Sequence, residues 1–435
     1  MSRRLLVLCH FYPPLGGGGV QRPLGFTRWL PAYGWDCTVV CAGPRDYWVR
    51  DESLLAAIPA ETEVIRVPGG SGLSALLGLR PRPDGASSGR RSGALFAALR
   101  RLSEWTLLPD SYAGWAARAR RAAASRIVRG GVSAILSTSP PDSVHLAALP
   151  LARRFGLPWV ADFRDPWIHL HRLRPPTAWH ASRQRKLERR VLEAADLVVV
   201  APRTHERDLL EDAGAGARRV VRIANGYEPD PAPGEATPRD PERFTLVFTG
   251  TMTLTPDVET LLEALHELLA RRPEARRRIR ARLAGPYESG YADRAIALGL
   301  RGIVEFLGPV SHARARAFQR AADLLILWKP PGCDAAVPAK LYEYLDAARP
   351  VLALLEDDDE AGRLVRESGG RCVPPGRRAP LADAIEQSYL AWKDGARADA
   401  GAAARPAWLE EHTRERLAAR LASELDALVT AEARP

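Results

Sequence analysis

Lysine is nearly absent from this 435-residue chain. Only Lys186, Lys329, Lys340 and Lys393 carry it, and the other 58 of the 62 basic residues are arginine. We attribute the skew to a GC-rich coding genome. It spreads the formal charge of +10 across the sequence, and with no RNA- or DNA-binding motif the chain is not expected to bind nucleic acid. Cysteine is also scarce. Cys9, Cys37, Cys41, Cys333 and Cys372 are odd in number and form no CxxC pair, which excludes a disulfide framework and a cysteine-based zinc site. His169, His171 and His180 are close in sequence but have no carboxylate or cysteine at ligand spacing, so no metal is expected. No apolar run approaches the ~20 residues needed to span a bilayer. Leu5 to Cys9 is too short for a signal-peptide core and soon meets Pro13 and Pro14, so it reads as a strand. These absences favour a reducing cytoplasm, with any membrane contact peripheral.

The composition is that of a globular protein, 46% hydrophobic and 26% charged, and the length favours two or three domains. Short apolar runs alternate with longer amphipathic ones: Leu5 to Cys9, Cys37 to Ala42, Ala134 to Ser137, Pro158 to Ala161, Asp196 to Ala201 and Arg219 to Ile223. That alternation predicts a parallel sheet with helices on both faces. Glu228 to Arg243 then places five prolines in sixteen residues, too many for a helix or a central strand. The alternation restarts at Phe244 to Thr249 and continues through Arg280 to Ala284, Val304 to Leu307, Asp323 to Trp328 and Val351 to Leu355. The expected organisation is α/β: a Rossmann-like domain over 1–227, a linker over 228–243, a second doubly wound domain over 244–404, and a helix in 405–435 returning toward the first. The carboxyl ends of both parallel sheets would face a central cleft, where ligands of open α/β sheets bind.

Several segments carry chemistry toward such a cleft. Gly16 to Gly19 follow the first strand and precede a helical pattern through Phe26, Trp29 and Leu30. Such a loop either lets the backbone approach a phosphate at a helix start or is a flexible turn. In VPAKLYEYLDAARPVLAL, Pro338 suits a first helical position and Pro350 ends the helix. Lys340 then sits in the first turn, where a cation opposes the helix dipole unless an anion offsets it. Glu343, on the same face, is suited to hold sugar hydroxyls, or else the two form an exposed helical pair. LPWVADFRDPW puts Asp162, Arg164 and Asp165 just after a strand, with Trp167 beyond. They are candidates for acid, base or anion-binding roles, or for an ion pair with tryptophan packing. His145, in LSTSPPDSVHLAAL, ends the preceding strand region. In FTGTM, Gly250 and Thr251 follow the first strand of the second domain.

The order of the glycine loop, DFRDPW, NG, linker, FTGT, AGP, FLGPVSH and PAKLYEYLDAARPVLAL resembles the family-4 retaining glycosyltransferases of the GT-B fold, from about Leu5 to Trp392. The resemblance implies transfer of a sugar from a nucleotide-diphosphate donor to a hydroxyl with retention, in polysaccharide, glycolipid or other glycoconjugate synthesis. It implies donor contacts from Gly18, Gly19, Gly250, Thr251, Asp334, Val337, Lys340, Leu341 and Glu343. Lys340 would meet the diphosphate and Glu343 the ribose. Ala335 stands where the family's first glutamate would be, so Asp334 is expected to substitute. The family's basic pair after the first strand of the second domain has no counterpart in GTMTLTPDVETLL. The diphosphate charge would therefore fall to Lys340, helped by Arg22 or Arg164, with no cofactor or metal. Asp162, Arg164 and Asp165 are the catalytic candidates, with His145 and Trp167 on the acceptor side.

Residues 72–130 hold eleven arginines and three acidic residues. With Leu95, Leu99 and Leu102 at helical spacing, this region suits an anionic membrane surface and a lipid-linked acceptor, though a basic loop over a core helix fits as well. A sugar or small-molecule acceptor is equally compatible. Two other functions fit the fold: a nucleotide-sugar epimerase or hydrolase, and a catalytically degenerate partner subunit.

Overall fold

The computed structural model describes residues 3–44, 50–69, 105–168, 175–211, 216–229, 239–252, 255–329, 337–356, 358–395 and 405–432. The chain folds as two compact units. The first carries seven parallel strands: β1 (Arg3–Leu8), β2 (Trp35–Ala42), β3 (Glu63–Val67), β4 (Ala134–Ser139), β5 (Trp159–Phe163), β6 (Leu197–Val200) and β7 (Val220–Arg222). Their order is β3-β2-β1-β4-β5-β6-β7. The second carries β8 (Phe244–Thr249), β9 (Ile279–Ala284), β10 (Val304–Gly308), β11 (Leu324–Trp328), β12 (Val351–Leu354) and β13 (Arg371–Val373), ordered β10-β9-β8-β11-β12-β13. Both are doubly wound Rossmann-like sheets, as the alternation predicts. The central strands are the apolar runs of the sequence because helices cover both their faces. The edge strands β3 and β13 were not expected. Glu63–Val67 is half-buried and Arg371–Val373 has three residues, so neither carries an apolar run.

Helices α1 (Gly18–Trp29), α2 (Ala113–Val128), α3 (Ser143–Phe155), α4 (Ala178–Ala194) and α5 (Arg203–Glu211) belong to the first unit. Those of the second are α6 (Asp257–Arg271), α7 (Ser289–Ala297), α8 (His312–Ala321), α9 (Ala339–Asp346), α10 (Glu360–Glu367) and α11 (Arg378–Lys393). Polar side chains start several of them: Thr177 accepts from the His180 amide, Ser311 from Arg314 and Asp359 from Ala361 and Gly362. Each closes an amide that the first turn leaves open. Among the described residues no helix is long and apolar enough to cross a membrane.

The last helix, α12 (Arg414–Glu432), belongs to the first unit and packs on α1. Leu417, Leu421 and Leu425, with Ala418 and Ala422, form its buried stripe. Asp426 accepts a 2.7 Å hydrogen bond from Trp35 Nε1 and pairs with Arg3 at 2.8 Å. The chain re-enters this unit at His412, not at residue 405. The reason is that Arg405 binds Tyr227 Oη and Asp346, and Leu409 is buried in the second core. Leu421→Ala removes a fully buried side chain from the α1–α12 contact. It should cost about 2–4 kcal/mol, read from urea unfolding of the full chain.

Candidate functional site

In the second unit, three glycines lie just past or at the strand ends with backbone angles that favour glycine: Gly250 (φ 138°), Gly285 (φ 137°) and Gly308 (φ 66°). A Cβ on Gly285 would stand 1.9 Å from the Gly250 carbonyl oxygen, so the two loops touch backbone to backbone. The Gly250 amide donates to Ala284 O at 2.8 Å, and the Gly285 amide to Gly308 O at 2.7 Å. A Cβ on Gly250 would come within 3.1 Å of Lys340 Nζ. The Lys340 ammonium lies 4.0 Å above the centre of the Phe248 ring, which stacks on Trp328 at 3.7 Å. Burial lowers the Lys340 ammonium to about 7, against the raising influence of Asp257 and Glu343. Burial and the start of a helix both disfavour the charged form of a lysine, and a nearby anion favours it.

Glu343 is 8% exposed and is held from both sides. His312 Nε2 lies 2.8 Å from Oε1, and Gln319 Nε2 donates to Oε2 at 3.1 Å. Gln319 also donates to Thr249 Oγ1 at 2.9 Å, while Tyr344 Oη accepts from the Thr249 amide at 2.9 Å. Arg316 donates to Gln319 Oε1 and to the Glu343 carbonyl, and pairs with Asp346. Thr249, Asp257, His312, Gln319 and Tyr344 were not singled out from sequence. His312 follows the N-cap Ser311 inside FLGPVSH, which is the one signal that could have marked it.

The remaining donor candidates divide. Thr251 is exposed beside Gly250. Val337 and Leu341 are core residues, 4% and 0% exposed, so their side chains pack inward. Asp334 lies outside the described residues.

In the first unit, Gly17 (φ 89°) precedes α1, and added Cβ atoms on Gly17 and Gly18 would meet open space. A Cβ on Gly19 would come 3.1 Å from Arg164 Nη1 and from the Phe11 ring. Arg164 pairs with Asp165 at 2.8 Å, and both remain partly exposed. Asp162 does not join them. Its carboxylate is fully buried and accepts from Arg22 Nε and Nη2, the latter at 2.6 Å, and from Thr138 Oγ1 at 2.6 Å. Arg22 also donates to Ala224 O at 2.9 Å. Asp162 is thus an internal counter-ion and not an acid or base facing a substrate. His145 is likewise internal. Its Nδ1 lies 2.8 Å from Ser137 Oγ, which also accepts from Trp159 Nε1, and its ring stacks on Phe163. Burial lowers His145 to about 3, so it stays neutral. Trp167, 1% exposed, donates to Gln184 Oε1 at 2.8 Å and packs in the core of this unit.

Two tests follow from this geometry. Asp162→Ala strands the buried Arg22 guanidinium and should cost about 3–5 kcal/mol in urea unfolding. The pair Arg22→Met with Asp162→Leu should recover most of that loss. Because the chain holds four lysines, ε-carbon NMR of lysine-labelled protein should show one signal titrating near pH 7. That signal should vanish in Lys340→Met. Four signals that all titrate near pH 10 would overturn the assignment.

The glycosyl transferase 4-like domain family model matches residues 17–226. A D-inositol 3-phosphate glycosyltransferase of Kineococcus radiotolerans is 31% identical over 211 residues, 43% of this chain and 47% of that protein. The match thus spans about half the length of that curated relative. Among solved structures, sucrose-phosphate synthase from Thermosynechococcus elongatus superposes over 99% of this chain and 100% of its own, with TM-score 0.67 and 16% identity. Anabaena HepE, solved in complex with UDP and glucose, covers 98% of this chain and 100% of its own, with TM-score 0.59 and 16% identity.

Proposed function

From the chain's membership of the family-4, group 1 glycosyltransferases, with their GT-B fold, we propose that it transfers a sugar from a nucleotide-diphosphate donor to an acceptor hydroxyl with retention of configuration. The observation that carries this reading is the convergence of Gly250, Gly285, Lys340 and Glu343 at the carboxyl edge of the second sheet. Bare backbone at Gly250 and Gly285 gives a phosphate close approach, and Lys340 supplies the charge. Glu343, fixed by His312 and Gln319, accepts from the ribose hydroxyls. As the bond from the anomeric carbon to the donor phosphate oxygen breaks, the acceptor oxygen bonds to that carbon on the same face. The acceptor proton passes to the departing diphosphate. No protein nucleophile is assigned. The charge on the leaving group falls to Lys340 and to arginines, with no bound metal.

The acceptor is a hydroxyl-bearing sugar, small molecule or lipid-linked glycan bound by the first unit, with Arg164 and Asp165 nearest to it. The inositol-phosphate relative and the UDP-bound neighbour make inositol phosphate and UDP the first probes.

The test is a thermal-shift panel of UDP, GDP, ADP and TDP on wild type and Lys340→Met. At about 100 times Kd, one diphosphate should raise the Tm by about 5 °C or more. The shift should survive EDTA and disappear in Lys340→Met. The stabilisation should weaken as pH rises above 7, because an anion then has to restore the proton that Lys340 has lost. Failure of every diphosphate to stabilise the protein would sink the transferase reading and favour the degenerate-partner function. Hydrolysis or epimerisation of the donor with no acceptor present would point to a donor-only enzyme.

A further inference from the structure

Helix α4 is two-faced. His180, Gln184, Glu188, Val191 and Leu192 are buried. Trp179, Arg183, Lys186 and Arg190 follow at i, i+4, i+7 and i+11, which places them on one outward stripe, and all four are exposed. Arg185 and Arg189, also exposed, widen it on one side. Among the described residues none of these five cations has a hydrogen-bond or ion-pair partner. That is unusual in a chain whose arginines are otherwise widely paired. Of the helix's two acids, Glu188 is buried and accepts from the Ile168 amide, leaving Glu193 as the one exposed acid.

At the start of the stripe stand two of the most exposed large apolar side chains of the described residues, Trp179 at 63% and Trp105 at 54%. Both rings pack edge-on against His180, at 4.9 Å and 5.4 Å between centres. His180 Nδ1 lies 2.8 Å from Thr177 Oγ1, and its Nε2 lies 3.2 Å from Trp105 O. The two indoles are therefore held side by side on a buried imidazole and are not loose ends. Leaving them in water forgoes the stabilisation that burial of such rings normally brings.

We propose that this stripe, Trp179, Arg183, Lys186 and Arg190 with Trp105 beside it, is a docking surface for an anionic lipid bilayer. Indoles settle at headgroup depth, and arginine and lysine reach phosphate from apolar stems, which is the chemistry this face presents. The indoles sit together at one end and do not alternate with the cations, so they do not form the row of platforms on which successive nucleobases stack. The stripe starts at the carboxyl edge of the first sheet. α4 is tied there by the Trp167–Gln184 bond and by Gln184 Nε2 donating to Pro109 O at 2.7 Å. Bilayer docking is independent of the donor chemistry proposed above and stands whether or not a sugar is transferred.

The test uses the full chain and vesicles of phosphatidylcholine with or without phosphatidylglycerol. Wild type should co-sediment with the anionic vesicles alone, and added salt should release it. Arg183→Glu, Lys186→Glu and Arg190→Glu together should weaken binding by at least ~100-fold, with an unchanged Tm. Brominated lipid chains should quench wild-type tryptophan fluorescence, and the quenching should fall in Trp105→Phe with Trp179→Phe. Binding that survives the charge reversal overturns the proposal, as does absence of binding by wild type. Tighter, α4-dependent binding to single-stranded RNA than to anionic vesicles would also overturn it, in favour of a nucleic-acid surface.

Discussion

A parallel sheet covered by helices on both faces has one place to put polar chemistry, the edge where its strands end. Every reactive group described here obeys that constraint. Lys340 and Glu343 rise from a helix that starts beyond the end of β11, and Gly250 and Gly285 are the first residues past β8 and β9. Once the central strands are spent on Leu, Val, Ile and Ala, the loops inherit the work of recognising a ligand. The Gly250–Gly285 contact is where two of those loops are forced together. No side chain fits between them, so backbone packs directly on backbone.

The placement of Lys340 and Glu343 was legible because proline punctuates that segment. Pro338 and Pro350 bracket α9, and that fixes Lys340 in its first turn and Glu343 one turn on. The partners of Glu343 were not legible. His312 and Gln319 lie 31 and 24 residues away and reach it through packing of α8 against α9. Periodicity describes one helix at a time. The surroundings of Asp162 were not legible for a similar reason. Asp162 looks like a cleft carboxylate in DFRDPW, but its counter-ion Arg22 is 140 residues distant, and nothing local announces that pairing. Arg164 and Asp165, two and three residues on, do remain at the surface.

Charge is managed differently in the two units. Arg22 and Asp162 neutralise each other inside the first, where an unpaired charge would be prohibitive. In the second, Lys340 forms no ion pair among the described residues, though Asp257 and Glu343 act on it at a distance. It rests on the Phe248 face and holds its proton weakly. One charge is neutralised inside a core; the other is carried on an aromatic face.

The return of α12 to α1 affects how the protein is made. The first unit is discontinuous, and its last helix begins only after Glu411, once the whole second unit has been synthesised. On the ribosome, α1 and Trp35 must wait for their cover while the later unit completes itself first. The unit whose chain begins first is therefore the unit finished last, and a nascent chain released before Arg414 would leave an apolar seam along α1 open to solvent.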